Sequence, residues 1–363
     1  MDRANHFFHI LRLLETPGLG PTRINAAIES AAHSQASIEQ VLGDDTFVAN
    51  LMGPRSREAW LSAAETAERI LVELHEKQIG LLAITDVGYP PRLRALLGRK
   101  APPLLAVIGN SNLLSAGSVG FCGSREASSK GIDTARDCSA QLANAGFNVI
   151  SGWARGVDMA AHVAALEAGG TTTVVLAEGI LHFRIKREIA ALWDLQRVAV
   201  ISEFPPGLPW KVHNAMQRNR TICALSKAMI LIEARSSGGS VAAGRTALEM
   251  GLPLFTPVYA GMPIEAEGNR ELMQSGARSL FKRRAAGRAN LTPLFAAVES
   301  ARSTAGNLLE KSHMRGRKVE FDAHKTVKRQ TEVEFTTSSG RKVDFVAKKP
   351  ARVPVHVKFA TEK

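Results

Sequence analysis

The sequence holds only three cysteines in 363 residues, Cys122, Cys138 and Cys223. Their odd number, wide scatter and lack of CxxC spacing exclude a disulfide framework and a cysteine zinc cluster, and suit a reducing cytoplasm. No apolar run approaches the roughly 18 residues that a membrane span needs. The opening Met1-Asp2-Arg3-Ala4-Asn5-His6 begins no signal peptide. Missing motifs narrow the chemistry further. No GxGxxG follows the first strand, which argues against a dinucleotide cofactor, and no GxxxxGK[ST] occurs, which argues against a P-loop ATPase. HExxH, GxSxG and EF-hand patterns are absent too, so no catalytic residue, metal or cofactor is assigned. There are no repeats or low-complexity tracts.

What the chain does have is apolar material and positive charge. Hydrophobic residues make up 45%, ample for a large core in a chain long enough for two or three domains. The formal net charge is +12. It is concentrated: residues 282–363 carry 19 Lys+Arg against 8 Asp+Glu, whereas residues 1–281 carry 27 against 26. Clusters such as Lys282-Arg283-Arg284, Arg315-Gly316-Arg317-Lys318 and Lys348-Lys349 attract a polyanion at long range, which points to nucleic acid, with an acidic protein as the other choice.

The rhythm of the chain changes twice. Residues 1–78 read as a small helical domain, with a stripe of Phe7, Phe8, Ile10, Leu11, Leu13 and Leu14. Gly18-Leu19-Gly20-Pro21-Thr22-Arg23 then has the form of a helix-hairpin-helix (SAM-like) turn, in which Gly18 and Gly20 let backbone N–H groups approach a phosphate and Arg23 adds charge. The same turn also serves as plain helical packing, and the residues do not choose between the two. Residues 79–290 alternate strand and helix. Strands are expected at Leu81–Ile84, Leu104–Ile108, Ser118–Cys122, Phe147–Ile150, Thr172–Leu176, Val198–Ile201, Ala228–Ile232 and Pro253–Thr256. Helices are expected over Lys130–Ala145, Met159–Ala168, Arg184–Asp194, Arg218–Leu225 and Ser240–Met250. This is an α/β domain with a doubly wound, mainly parallel Rossmann-like sheet. Residues 291–363 form a basic, β-leaning C-terminal module, with a hairpin of Val333–Phe335 and Arg341–Val346 and a further strand at Val353–Phe359.

Ligands of doubly wound sheets sit where strands run into helices. Three such loops stand out: Gly123-Ser124-Arg125; Ser151-Gly152-Trp153-Ala154-Arg155-Gly156-Val157-Asp158; and Ser236-Ser237-Gly238-Gly239-Ser240. Each offers small residues, hydroxyls and backbone N–H groups to an anion. Arg125, Arg155 and the stretch Arg218-Asn219-Arg220 supply charge. Asp158 reads as a helix N-cap, and His162 and Glu167 as structural members of the helix that follows.

At these residues the chain resembles a known family. Gly120–Arg125, Val149–His162, Ser202-Glu203-Phe204-Pro205-Pro206-Gly207, Arg218-Asn219-Arg220 and Tyr89-Pro90-Pro91-Arg92-Leu93 leading to Gly109-Asn110 are similar to the motifs of the DprA/Smf family. The likeness covers roughly residues 80–260 in the family's order. It implies an extended Rossmann-like fold, single-stranded DNA as ligand, homodimers, a RecA-like recombinase as partner and no catalysis. It places DNA contacts at Ser124, Arg125, Arg155, Arg218 and Arg220. Trp153 and Trp210 are the stacking residues to consider, and Leu248, Met250, Leu252 and Leu254 the apolar residues for a dimer face or the core. Two departures stand out. The family's Tyr-Pro loop is replaced by Gly179-Ile180-Leu181-His182-Phe183-Arg184, and its C-terminal winged helix by the basic segment. Two alternatives stand beside the DNA-binding reading. One is the antitoxin or sensor subunit of an anti-phage system, held to a cognate toxin. The other is a nucleotide hydrolase resembling the Lonely-guy proteins, although Gly238-Gly239 lacks their flanking Pro and Thr and Glu249 lies far downstream.

Overall fold

The computed structural model describes residues 3–52, 57–258, 266–282 and 287–300, and the backbone of 333–336 and 342–345. Its first part is helical: α1 (Arg3–Glu15), α2 (Pro21–His33), α3 (Ile38–Leu42), α4 (Asp45–Met52) and α5 (Arg57–Glu76). The sheet is built from β1 (Gly80–Ala83), β2 (Leu104–Gly109), β3 (Ser118–Gly123), β4 (Asn148–Ser151), β5 (Thr172–Val175), β6 (Val198–Ser202), β7 (Ala228–Ile232), β8 (Leu254–Pro257) and β9 (Arg278–Leu280). Between the strands lie α6 (Pro91–Leu97), α7 (Ser129–Asn144), α8 (Val157–Glu167), α9 (Arg187–Ala190), α10 (Val212–Leu225), α11 (Gly239–Glu249) and α12 (Glu267–Gln274), and a last helix covers 292–300.

Strand order is β1-β2-β6-β5-β4-β3-β7-β8-β9. From β6 to β9 all neighbours are parallel, whereas β1–β2 and β2–β6 are antiparallel. The sheet is therefore doubly wound, as the strand–helix rhythm requires, with an antiparallel extension on one edge. From β3 the chain first winds outward through β4, β5 and β6, then returns to the other side of β3 with β7. Val119 pairs with Val149 on one side and with Ala228 on the other. Such a reversal opens a crevice beyond the C-terminal strand ends.

Both faces of the sheet are covered, so its strands are apolar on both sides. In β7, Ala228, Ile230 and Ile232 face α7 and α8, while Met229 and Leu231 face α10 and α11. In β6, Val198 and Val200 join the core of the N-terminal helices, and Ala199 and Ile201 the opposite layer. Residues 3–76 thus share one core with the sheet: Ile10, Leu13 and Ile24 lie in the same cluster as Leu104 and Val174.

Several expectations are corrected. The helix expected over Arg184–Asp194 shrinks to Arg187–Ala190, preceded by a 3-10 turn at Ile180–His182, because Phe183, Trp193 and Trp153 pack into an aromatic cluster that fixes the loop between them. Strand β9 was not anticipated. Leu291, Leu294, Ala297 and Val298 are buried with Val119 and Phe121, so this stretch belongs to the sheet's core rather than to a separate C-terminal module. Leu252 and Leu254 are buried and Leu248 and Met250 are partly buried against the same cluster, so these four contribute to the core. The hairpin pairs Val333–Thr336 (β10) with Lys342–Phe345 (β11). The clusters at Arg283-Arg284, 315–318 and Lys348-Lys349, and the strand at 353–359, lie outside the described residues.

Candidate nucleic-acid interface

The three loops meet at the crevice. A cavity of about 430 Å³ is lined by Gly123, Ser124, Arg125, Arg155, Arg218, Asn219, Ser237, Gly238 and Gly239 among the residues expected from the sequence. Ser151, Gly152 and Gly156 sit behind its wall and shape it. Arg220 does not reach it and opens on a different cleft. Gly18, Gly20 and Arg23 of the hairpin turn are also absent from the lining.

The wall explains the small residues. A Cβ on Gly152 would fall 1.7 Å from Nη1 of Arg218, so the guanidinium occupies the space a side chain would need. Gly156 has φ +78°, and a Cβ there would meet the Ser124 carbonyl at 2.5 Å. Gly156 is the N-cap of α8, which corrects the reading of Asp158: it lies one residue inside the helix, accepts from Ser151 Oγ at 2.9 Å and Ala154 N at 3.2 Å, and braces the loop. Ser240 Oγ donates to the Gly123 carbonyl at 2.8 Å and Asn219 Nδ2 to the Gly239 carbonyl at 3.1 Å, tying the loops together.

The helix N-termini are not equivalent. The first turn of α7, which the Gly123-Ser124-Arg125 loop precedes, is already satisfied. Glu233 adopts φ +51° at the end of β7 and its carboxylate accepts from Ser128 N at 2.6 Å and Ser128 Oγ at 2.5 Å. Ser128 in turn caps α7. An anion is therefore not expected on α7. The α11 terminus, by contrast, starts at Gly238 with no side-chain cap and borders the cavity. Its first-turn N–H groups carry the positive end of the helix dipole.

Arg218 is the most informative group. It is buried, at 7% exposure, yet it makes no hydrogen bond or ion pair among the described residues, and its Nε is unsatisfied. A buried guanidinium without partners is costly unless a ligand completes it. Arg125 is exposed and lies over the Trp210 ring at 5.6 Å. Arg155 is spoken for in this state: Glu126 accepts from Arg155 at 2.8 Å and from Arg235 at 3.1 Å. Glu126 and Arg235 were not singled out from the sequence, because no local pattern marks an acid that reaches across 109 residues to its partner.

Beside this cavity a second depression, about 420 Å³, shares Arg125, Arg155 and Arg218 with it and adds Trp153, Lys186, Glu178 and Trp210. Lys186 Nζ donates to the Trp153 carbonyl at 2.6 Å, and burial lowers its pKa. Trp153 is half-buried against Phe183 and Trp193, while Trp210 is 46% exposed and so is the better stacking platform of the two.

The titratable groups here are engaged rather than poised. His162 is fully buried, with Nε2 at 2.7 Å from the Gly152 carbonyl and Nδ1 at 2.6 Å from Thr172 Oγ1. Burial lowers its pKa. The ring donates from Nε2 to the Gly152 carbonyl, and the Thr172 hydroxyl beside Nδ1 gives its own hydrogen to the Val149 carbonyl at 2.8 Å. Glu167 pairs with Arg136. Burial pushes the Cys122 thiol up to about 12, which leaves it unreactive. Glu249 is not part of the lining; the carboxylates that are, Glu126, Asp158 and Glu233, are engaged with Arg155 and Arg235, with Ser151 and Ala154, and with Ser128. The His162 ring should show no NMR titration on acidification through pH ~6.5, the ordinary histidine value. With the folded pKa below the unfolded one, its contribution to stability is full above that value and is lost as pH falls from it through the folded pKa. A ring that titrates at the ordinary pH would contradict the buried neutral arrangement.

The strand order places the molecule among Rossmann-type α/β proteins, with an arginine-lined crevice at the topological switch point. The chain belongs to the DNA recombination-mediator protein A family, whose model matches residues 80–286. It is 35% identical over 216 residues to protein Smf of Escherichia coli, a match covering 59% of this chain and 57% of that protein. It is 31% identical over 243 residues to DNA processing protein DprA of Streptococcus pneumoniae, covering 66% of this chain and 83% of that one. The X-ray structure of the Streptococcus pneumoniae protein is similar with a TM-score of 0.64 at 28% identity, covering 77% of this chain and 95% of that chain. Among the described residues no helix is long and apolar enough to cross a membrane.

Proposed function

We propose that this protein binds single-stranded DNA through its phosphates at the β3 crevice and takes part in DNA processing without catalysing a reaction. The observation that carries the reading is Arg218, a buried guanidinium with no hydrogen bond or ion pair among the described residues, lining a cavity that also offers the uncapped first turn of α11. A phosphate satisfies both groups at once. Arg125 beside the exposed Trp210 adds a cation next to an aromatic plane, the pairing that suits unpaired bases. The relatives named as DNA processing proteins support the polymer, and engagement of the nearby carboxylates and His162 in structural bonds supports the lack of catalysis. The family's description as recombination mediator extends the proposal to a recombinase that takes over the bound strand.

Fluorescence anisotropy with single-stranded and duplex DNA of equal length, over a salt series, tests this reading. Tighter binding of the single strand with a steep salt dependence is expected. Equal or tighter duplex binding overturns it. Glu126 supplies an independent check, because phosphate must compete with it for Arg155 and Arg235. The substitution Glu126→Gln should raise affinity by up to about fivefold at low salt, the scale of an exposed ion pair. A loss of affinity would show that Glu126 orders the loop for binding instead.

A further inference from the structure

We infer that the cleft on the far side of α10 is a second subsite for the same DNA strand, taking nucleotides beyond those held in the β3 crevice. The inference rests on the reading above and assigns a place to two features that reading leaves unused: Arg220 and the helix-hairpin-helix turn.

Helix α10 stands between two hollows. Arg218 and Asn219 face the crevice. Arg220, two residues on and therefore about 200° further round the helix, opens on a cleft of about 510 Å³. The opposite wall comes from the N-terminal helices, through Pro21 and Thr22 at the start of α2, and from Lys100. That wall is held rigidly. Asn25 is buried, and its Nδ2 donates to the carbonyls of Arg99 at 3.0 Å and Ala101 at 2.8 Å, clamping α2 to the turn that carries Lys100. The cap of α2 is Gly20, which provides no side chain; Pro21 has no N–H and Arg23 N is bonded to the Gly20 carbonyl at 3.0 Å, so Thr22, which lines the cleft, carries the first-turn N–H that has no bonded partner among the described residues, at the positive end of the helix. The hairpin turn thus faces Arg220 rather than the loops with which the sequence groups that arginine.

The charge in the cleft is available. Arg220 and Lys100 are exposed and make no ion pair or hydrogen bond among the described residues. The acid on the wall is Glu203. It is buried, its oxygens accept from Gln217 Nε2 at 3.2 Å and Thr221 Oγ1 at 3.0 Å, and burial raises its pKa against the smaller opposing pull of those bonds and of the nearby Arg218 and Arg220, with neither of which it forms an ion pair.

The ridge between the hollows decides the class of ligand. Trp210, Val212 and Met216, at the start of α10 or just before it, are 46%, 66% and 45% exposed. Trp210 lies on the crevice side beneath Arg125, and Met216 lines the second cleft. Cations on either side of an apolar, aromatic ridge match a strand whose phosphates enter the hollows while its bases cover the ridge. A free small anion has no use for the ridge, and a duplex keeps its bases inward and leaves it bare. An α-helix with its side chains is about 10–12 Å across, so only a strand several nucleotides long spans both subsites.

The test compares oligothymidylates of roughly 4 and roughly 16 nucleotides on the full chain, on the double variant Lys100→Ala/Arg220→Ala and on Arg218→Met. The double variant should bind the long strand about tenfold more weakly, with a salt slope lower by about two, while the short strand changes by less than about twofold. Unchanged affinity for the long strand overturns the second subsite. So does an equal loss for both strands, which would place the effect in the crevice or the fold; thermal denaturation of the variant separates those two. If instead Arg218→Met leaves short-strand binding intact, it is the reading of the crevice that fails.

Discussion

Replacing Arg218 by methionine should weaken single-stranded DNA binding by at least about tenfold and leave the thermal midpoint equal or higher. The two signs are linked by the same burial. A hydrogen bond to a charged group contributes about 1.5–3 kcal/mol, which corresponds to roughly 10- to 150-fold in affinity. Among the described residues that guanidinium has no hydrogen bond to offset its desolvation, so methionine, similar in length and apolar, removes a cost rather than a support. Loss of binding together with a lowered midpoint would show instead that Arg218 braces α10 against the loop at Gly152. A second variant reaches the same group without touching its charge. In Gly152→Ala the new Cβ falls on the guanidinium, at 1.7 Å, and must push it aside. The same loss of affinity is expected, checked by anisotropy at one salt concentration. Full affinity in Gly152→Ala would mean that the arginine binds in another position.

The parts of this structure that could be read from the sequence are those set by local pattern. Strands buried on both faces show as short apolar runs such as Ala228–Ile232, and glycine-rich strand ends mark the loops. The crevice follows from these, since a doubly wound order brings the ends of β3, β4 and β7 together. What was hidden depends on contacts far apart in sequence. Glu233 satisfies α7 through Ser128, 105 residues away, and so cancels an anion site that the loop composition advertised. The antiparallel seating of β2 beside β6 leaves no trace in either strand's pattern. Arg220 is a different kind of miss. Its separation from Arg218 is a matter of helical phase, and placing both on one site overlooked the 100° step between neighbours. The boundary at 290 is similar: Leu291, Leu294 and Val298 recur at helical spacing, but the rise in positive charge that starts at Lys282 drew the division through them.

That boundary has a large consequence for truncation. A chain ending at residue 290 should fail to fold stably, whereas one ending at residue 300 should keep the α/β fold. Leu291, Leu294 and Val298 are 2%, 0% and 0% exposed and pack with Val119, Phe121 and Leu142. Each such side chain contributes about 1.5–3 kcal/mol by burial, so the three together reach the lower end of the ~5–15 kcal/mol that separates a folded domain from its unfolded chain. Their removal also exposes the face of α7 and β3 on which they lie. Thermal unfolding and near-ultraviolet circular dichroism of the two truncations measure the difference. A cooperative transition in the shorter chain at the midpoint of the longer one would show that the last helix only decorates the sheet. The longer truncation answers the question of charge. It removes 15 Lys+Arg and 7 Asp+Glu while leaving the whole described α/β body. DNA association should then slow, with a smaller change in dissociation, because distant charge acts mainly by steering the encounter. Stopped-flow association rates on this chain and the full one, at low and physiological salt, decide it. A change confined to the dissociation rate would place residues of the basic segment in direct contact with the strand.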